Sequence, residues 1–489
     1  MTTITTTFTQ WSNQYIGGEW RKGQSHSVNS NQNPFDHSEL VKIQLASVED
    51  IDAAYQSAAK VQKDWQKTSP EKRSAILKKA AEVLENRRDE IVQILVTESG
   101  SSFAKANAEV DFSIADINEF AGLPFQMETE VVSSVIPGKE NRVYHLPVGV
   151  VGVISPFNFP LYLSMRAIAP ALAAGNGVVV KPDLQTFISG GLIIASILEE
   201  AGLPKGLFNV IVADISEVGD SFVEHPIPKV ISFTGSTSVG KHISELCGKN
   251  LKKVALELGG NNVMIVLEDA DIHQAASAAV FGKFLHQGQI CMALNRIIVH
   301  RNIYDEFVKV FKAKTEMIKS GNPADPEVFV GPLISKKQID KVQAWIDDSI
   351  REGAICIQRG NVKGTLMEPV ILTNVSNDMA IARNEQFAPV AAIIPAESEE
   401  DAIAIANESE YGLSGSIFTG DLEHSVEVAL QIHTGMIHVN DQSVNCESNV
   451  PFGGEKSSGL GRYGGHWSLE EFTTTRWVSV QKENRPFPF

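Results

Sequence analysis

The 489-residue chain has few cysteines, a shortage of positive charge, and no long apolar run. Its four cysteines, Cys247, Cys291, Cys356 and Cys446, show neither CxxC nor Cys/His spacing, which argues against a disulfide framework and a zinc site. A reducing compartment, the cytoplasm, is the expected home. Lysine and arginine total 42 against 59 acidic side chains, a net charge of −17. That balance argues against nucleic acid or an anionic membrane surface as the main partner and favours a small-molecule enzyme. No stretch approaches the roughly 18 uncharged apolar residues of a membrane helix. The opening Met1–Thr7 has neither the basic nor the apolar region of a targeting peptide.

What is present reads as globular, 43% hydrophobic and 21% charged. A chain this long exceeds one core, so two or three domains are expected. Residues 51 to 98 read as helical, with Ile76, Leu77, Ala80, Val83, Leu84, Ile91, Ile94 and Leu95 at helical spacing and Ser69-Pro70 as a cap with first-turn proline. From residue 148, short β-branched runs alternate with helical ones: Val150 to Ile154, Val178 to Val180, Phe208 to Val212, Val230 to Phe233 and Val254 to Leu256. Alternation of this kind predicts crossover connections and a parallel sheet with helices on both faces. Val263 to Leu267, Ile297 to His300, Val390 to Ile394 and Met436 to Asn440 repeat the texture and predict a second α/β unit. Residues 129 to 147 and the tail from Phe472 are β-prone. Thr473, Thr475, Trp477 and Val478 predict an edge strand open to another subunit.

Gly235-Ser236-Thr237-Ser238-Val239-Gly240 follows a predicted strand and opens a helix, offering backbone N–H groups to a phosphate; a plain strand-to-helix turn fits it equally well. Lys181-Pro182 ends another strand at the edge where open α/β sheets bind ligands, and the coincidence favours a nucleotide. Ser155-Pro156-Phe157-Asn158-Phe159-Pro160 sets an amide among aromatics and prolines. Alone it reads as a rigid loop; beside a reacting carbonyl, Asn158 reads as an oxyanion donor. A lone cysteine is usually a small core hydrophobe, the reading given to Cys247, Cys356 and Cys446. Cys291 closes His286-Gln287-Gly288-Gln289-Ile290-Cys291, and Glu257 lies in Leu256-Glu257-Leu258-Gly259-Gly260 at a strand end, where burial raises a carboxyl toward a useful base. A thiol that adds to a carbonyl and a carboxylate that activates water together point to covalent oxidation of an aldehyde.

Together with Gly331-Pro332-Leu333-Ile334-Ser335, Glu385-Gln386-Phe387 and Pro451-Phe452-Gly453-Gly454, these stretches resemble the aldehyde dehydrogenase family from about residue 15 onward. The resemblance implies an α/β fold with a Rossmann-type NAD(P)-binding domain over 1–128 and 148–256. It implies a catalytic α/β domain over 257–455 and oligomerisation strands at 129–147 and 472–489, serving a homodimer or homotetramer. It makes Cys291 the nucleophile, Glu257 the general base, and Asn158 with the Cys291 backbone N–H the oxyanion hole. Lys181 is then expected on the adenosine ribose, Ser236 on the pyrophosphate, Glu385 on the nicotinamide ribose and Phe387 beside the nicotinamide. Gly235, Ser155, Phe157 and Leu258 complete the cofactor contacts.

The departures are informative. The acid that often follows the lysine by three residues is Leu184, with Asp183 beside it, which leaves NAD against NADP open. Phe157 replaces the usual Trp, and Ala388 the Gly of a Phe-Gly-Pro motif. With Leu163-Ser164-Met165-Arg166, Asn440-Asp441-Gln442-Ser443-Val444-Asn445 and Gly461-Arg462-Tyr463-Gly464-Gly465, they look like the benzaldehyde and vanillin dehydrogenase branch, which implies an aromatic aldehyde. Phe157, Tyr162, Arg166 and Phe452 are pocket candidates, with core packing or ion pairing as the alternative for each. A CoA-acylating enzyme is disfavoured by Glu257, since transfer to a thiol needs no water-activating base. A non-catalytic binding protein on the same scaffold is disfavoured by the intact set Cys291, Glu257, Asn158 and Lys181. A cysteine esterase is expected only as a side activity, because no His partners Cys291 in the sequence.

Overall fold

Short apolar runs separated by helix-length segments pair in parallel only through crossovers. The chain, represented by a computed structural model that describes residues 8–489, forms two such sheets. Met1–Thr7, on which the leader expectation rests, lie outside the described residues. In the first sheet Phe208–Val210, Gly177–Lys181, Val150–Ile154, Val230–Thr234 and Lys253–Glu257 lie side by side in that order, all parallel. The order reverses between Val150–Ile154 and Val230–Thr234, the switch point at whose carboxyl edge such sheets take ligands. Both outer edges are closed by antiparallel partners, Gln14–Ile16 at one side and Gly459–Leu460 at the other.

The second sheet places Val370–Thr373, Val390–Ala396, Leu294–His300, Asn262–Val266, Gly415–Phe418 and His438–Val439 in parallel order, with Ile355–Gln358 antiparallel at one edge. Four residues, Leu258 to Asn261, join the sheets, so Glu257 ends one and Asn262 begins the other. Thr473–Gln481 pairs antiparallel with Lys139–Pro147, and Glu130–Val132 lies on that strand's far side. Among the described residues the outer edge of Thr473–Gln481 has no neighbouring strand, and Trp477 and Val478 are exposed there. Among the described residues no helix is long and apolar enough to cross a membrane.

The region read as helical over 51–98 divides into Val48–Trp65, Pro70–Asn86 and Arg88–Ser99, with Ser69 capping the second through its side chain. Met436 to Asn440 contracts to the two-residue strand His438–Val439. Helix Pro160–Ala173 matters most for the site, because all fourteen of its residues are buried. A helix with no solvent face is packed on every side, so side chains that leave it are held with little freedom.

Candidate active site

At the junction of the two sheets Glu257 lies near enough to Cys291 for its charge to act on the thiol. Beyond Glu257 the junction passes under Cys291 so closely that a Cβ on Gly260 would stand 2.3 Å from the Cys291 carbonyl oxygen. Asn262 then holds that oxygen through Nδ2 at 2.7 Å and the Ala293 oxygen at 2.8 Å. Before the cysteine, His286, Gln287 and Gly288 all take positive φ, at 48°, 58° and 72°. Two successive non-glycine residues there mark strain stored in the turn that presents Cys291.

Glu257 is out of water, whereas Cys291 is half-buried. Glu257 is 1% exposed and neither carboxylate oxygen has a hydrogen-bond partner. Burial pushes it up to about 8, opposed by the charges of Arg166 and Arg462 and reinforced by Glu471. Burial likewise pushes the Cys291 thiol up to about 12, with Arg166 pulling it down and Glu257 and Glu385 adding to the rise. The thiol therefore rests protonated, and the nearby cation favours the thiolate.

Cys291 opens onto an apolar cavity of about 170 Å³ whose wall includes Asn158, Tyr162, Arg166 and Phe452. A cavity of roughly 150 Å³ admits a benzene ring, so this space suits one aromatic ring. Asn158 is 4% exposed and gives one amide N–H to the Gln289 oxygen at 2.9 Å, leaving its second N–H uncommitted. The Arg166 guanidinium lies 3.9 Å from the Phe452 ring centroid and 5.6 Å from that of Tyr162, with buried Nη1 unpartnered. Burial opposes its charge, but Tyr162, Glu257, Cys291 and Asp116 raise its pKa further.

Two sequence readings change. Cys446 does more than pack against the core: it also lines the same cavity and accepts from the Tyr162 hydroxyl at 3.4 Å. Phe157 lies outside the cavity wall and meets Phe387 edge to face at 5.9 Å. Cys247 is fully buried, whereas Cys356 is half-buried on its edge strand.

The remaining candidates gather along the carboxyl edge of the first sheet. Ser155 follows its strand and donates its N–H to the oxygen of Lys181, the last residue of the next strand. Burial lowers the Lys181 pKa against the pull of Asp183 and Asp214. Gly235 donates its N–H to the Glu257 backbone oxygen at 2.9 Å, and exposed Ser236 occupies the N-cap of Thr237–Lys249 without capping it through its side chain. The first N–H groups of that helix stay open to an anion. Leu258 is buried against Gly240, where a Cβ would come within 2.3 Å of its Cδ2. Glu385 accepts from the Gly260 N–H at 3.0 Å, and burial pushes its carboxyl up to about 7. Phe387 takes φ 46° two residues on.

Sequence reasoning missed several participants. Gln289 holds Asn158 and is itself held by the Ile334 N–H at 2.9 Å; its place two residues before Cys291 was the available signal. Arg462 and Glu471 act on Glu257 because Gly459–Leu460 returns to pair with Leu256 and Glu257, which no local pattern announces.

A family model described as the aldehyde dehydrogenase family matches residues 20–478. A benzaldehyde dehydrogenase of Bacillus subtilis, YfmT, is 50% identical over 97% of this chain and 98% of its own. A vanillin dehydrogenase of Corynebacterium glutamicum is 47% identical over 96% and 97%. The crystal structure of an NAD-dependent benzaldehyde dehydrogenase from Corynebacterium glutamicum superposes with a TM-score of 0.89 at 44% identity, covering 96% of this chain and 98% of that one.

Proposed function

The chain belongs to the aldehyde dehydrogenase family, and from that premise we propose that it oxidises aromatic aldehydes of the benzaldehyde or vanillin type to carboxylic acids, with NAD+ as the preferred acceptor. The carrying observation is the ring-sized apolar cavity that ends on Cys291, with an unpartnered carboxylate and an uncommitted amide N–H beside it. The names of its relatives support the substrate class.

Cys291 adds to the aldehyde carbon, giving up its thiol proton to a base, while the uncommitted Asn158 N–H and the Cys291 backbone N–H receive the charge that develops on oxygen. A bound NAD(P)+ would supply the hydride acceptor needed to turn this adduct into a thioester. Glu257 then takes a proton from water as its oxygen adds to the acyl carbon; the C–S bond breaks and sulfur recovers the proton. Arg166 favours the anionic forms of both Cys291 and Glu257 throughout. An unpartnered base suits release to water better than transfer to a carrier thiol.

The residues present fit a dinucleotide. The open helix start at Ser236 suits a pyrophosphate, Lys181 a ribose hydroxyl, and the half-buried Glu385 the second ribose, with Phe387 and Phe157 flanking the ring. Asp183 beside Lys181 disfavours a 2′-phosphate, which is why NAD+ is placed before NADP+. The open edge at Thr473–Gln481, with exposed Trp477, supports a homodimer or homotetramer, and four unpaired thiols support a cytoplasmic setting.

The test is cofactor reduction followed by absorbance, with benzaldehyde, vanillin and a short aliphatic aldehyde against NAD+ and NADP+. Aromatic turnover that vanishes in Cys291→Ala while the fold persists is the expected result. Turnover confined to the aliphatic aldehyde would refute the substrate class and leave the chemistry standing.

A further inference from the structure

One buried ion pair is used by nothing so far, and it grips the segment that carries Asn158. Lys105 and Glu109 lie one turn apart on helix Phe103–Phe120, fully buried and paired to each other. Lys105 Nζ also donates to the backbone oxygen of Asn158 at 2.7 Å and sits 4.0 Å from the Phe159 ring centroid. Glu109 Oε1 accepts from the N–H groups of Leu161 at 2.9 Å and Tyr162 at 3.2 Å. Those are among the first donors of helix Pro160–Ala173, whose N-cap residue, Phe159, has no side chain able to cap them. A carboxylate from another helix therefore supplies the cap and meets the positive end of the helix dipole.

The consequence is geometric. From Asn158 to Tyr162 the chain is held at a carbonyl, a ring and two amides, all by one pair of side chains. The Asn158 side chain is separately tied to Gln289, so its free N–H points from a frame fixed at both ends. Two charges stripped of water are a weak source of stability, since apolar groups of the same volume commonly serve as well. Their directional hydrogen bonds are what an apolar pair does not provide.

We propose that Lys105 and Glu109 are positioning residues for the oxyanion hole, acting through Asn158. The proposal rests on the reading of Asn158 as the oxyanion donor. It predicts that the pair affects turnover only while the Asn158 amide is present.

The experiment is a mutant cycle on the full-length protein. Lys105→Met and Glu109→Gln are made together, so that no buried charge loses its partner and the glutamine oxygen still caps the helix. The kcat and both KM values are measured for the wild type, this paired variant, Asn158→Ala and the three changes combined. Displacement of a donor within an otherwise intact site is expected to lower kcat by about tenfold to a hundredfold, with the KM for NAD+ unchanged. Asn158→Ala is expected to lose about a hundredfold or more. The combined variant should be no slower than Asn158→Ala alone. A paired variant at wild-type kcat, or losses that multiply in the combined variant, would overturn the proposal. Asn158→Ala at wild-type kcat would instead sink the oxyanion assignment beneath it. Should the paired variant fail to fold, Lys105→Arg keeps the charge while shifting the donor, and its coupling to Asn158→Ala decides in the same way.

Discussion

Glu257→Gln separates what burial does to stability from what it does to rate. The carboxyl moves from an ordinary 4.5 to about 8 because it is out of water without a hydrogen-bond partner. The unfolded chain loses this proton near pH 4.5, and the folded chain keeps it to about pH 8, so stability falls as pH rises across that window. At about 1.4 kcal/mol for each tenfold change in proton affinity, the full penalty above pH 8 is about 5 kcal/mol. The glutamine variant should remove this slope: denaturant melts of the two proteins converge at about pH 5, and the variant is the more stable at about pH 9. Catalysis runs the opposite way. About a tenth of Glu257 is ionised at pH 7 and about nine-tenths at pH 9, so thioester release should rise nearly tenfold between them. In the variant the steady-state rate should fall by about a hundredfold or more and lose this rise, while a rapid first turnover of reduced cofactor persists. A variant with an unchanged steady state, or one that also loses the first turnover, would refute the assignment of Glu257 as the base for release.

Two further outcomes follow from distances and charges at the site. Arg166→Met removes the cation that pulls the Cys291 thiol down, so alkylation of Cys291 by iodoacetamide should slow and its pH profile move to higher pH; an unchanged profile would show that the guanidinium does not reach the sulfur. Gly259→Ala places a Cβ 2.5 Å from Glu385 Oε2, displacing that carboxylate, so the KM for NAD+ should rise about tenfold, equivalent to about 1.4 kcal/mol, with the aldehyde KM little changed. Equal changes in both constants would count against Glu385 as a cofactor contact.

The first-sheet strands are legible because strands covered on both faces become near-continuous apolar runs rich in valine and isoleucine, as in Val150–Ile154 and Val178 to Val180. Gly415–Phe418 is not, since Gly415-Ser416 carries no strand signal and its place is set by pairing with Asn262–Val266. Within the site, Cys291 and Glu257 stand out through the short motifs around them. Lys105 and Glu109 do not, because an i,i+4 ion pair has the same spacing whether it faces water or a core. Cys446 fails for a related reason: the tyrosine that fixes it in the cavity wall is 284 residues away in sequence.

The return of Gly459–Leu460 to the edge beside Leu256 and Glu257 has a consequence for synthesis. About 200 residues separate the two strands in the chain. At roughly 5–20 residues per second, a ribosome emits the Glu257-bearing strand about 10–40 s before the segment that closes its open edge. A first sheet assembled within that interval would carry an uncovered parallel-strand margin, the kind of surface that recruits chaperones or mispairs with a neighbouring polysome product.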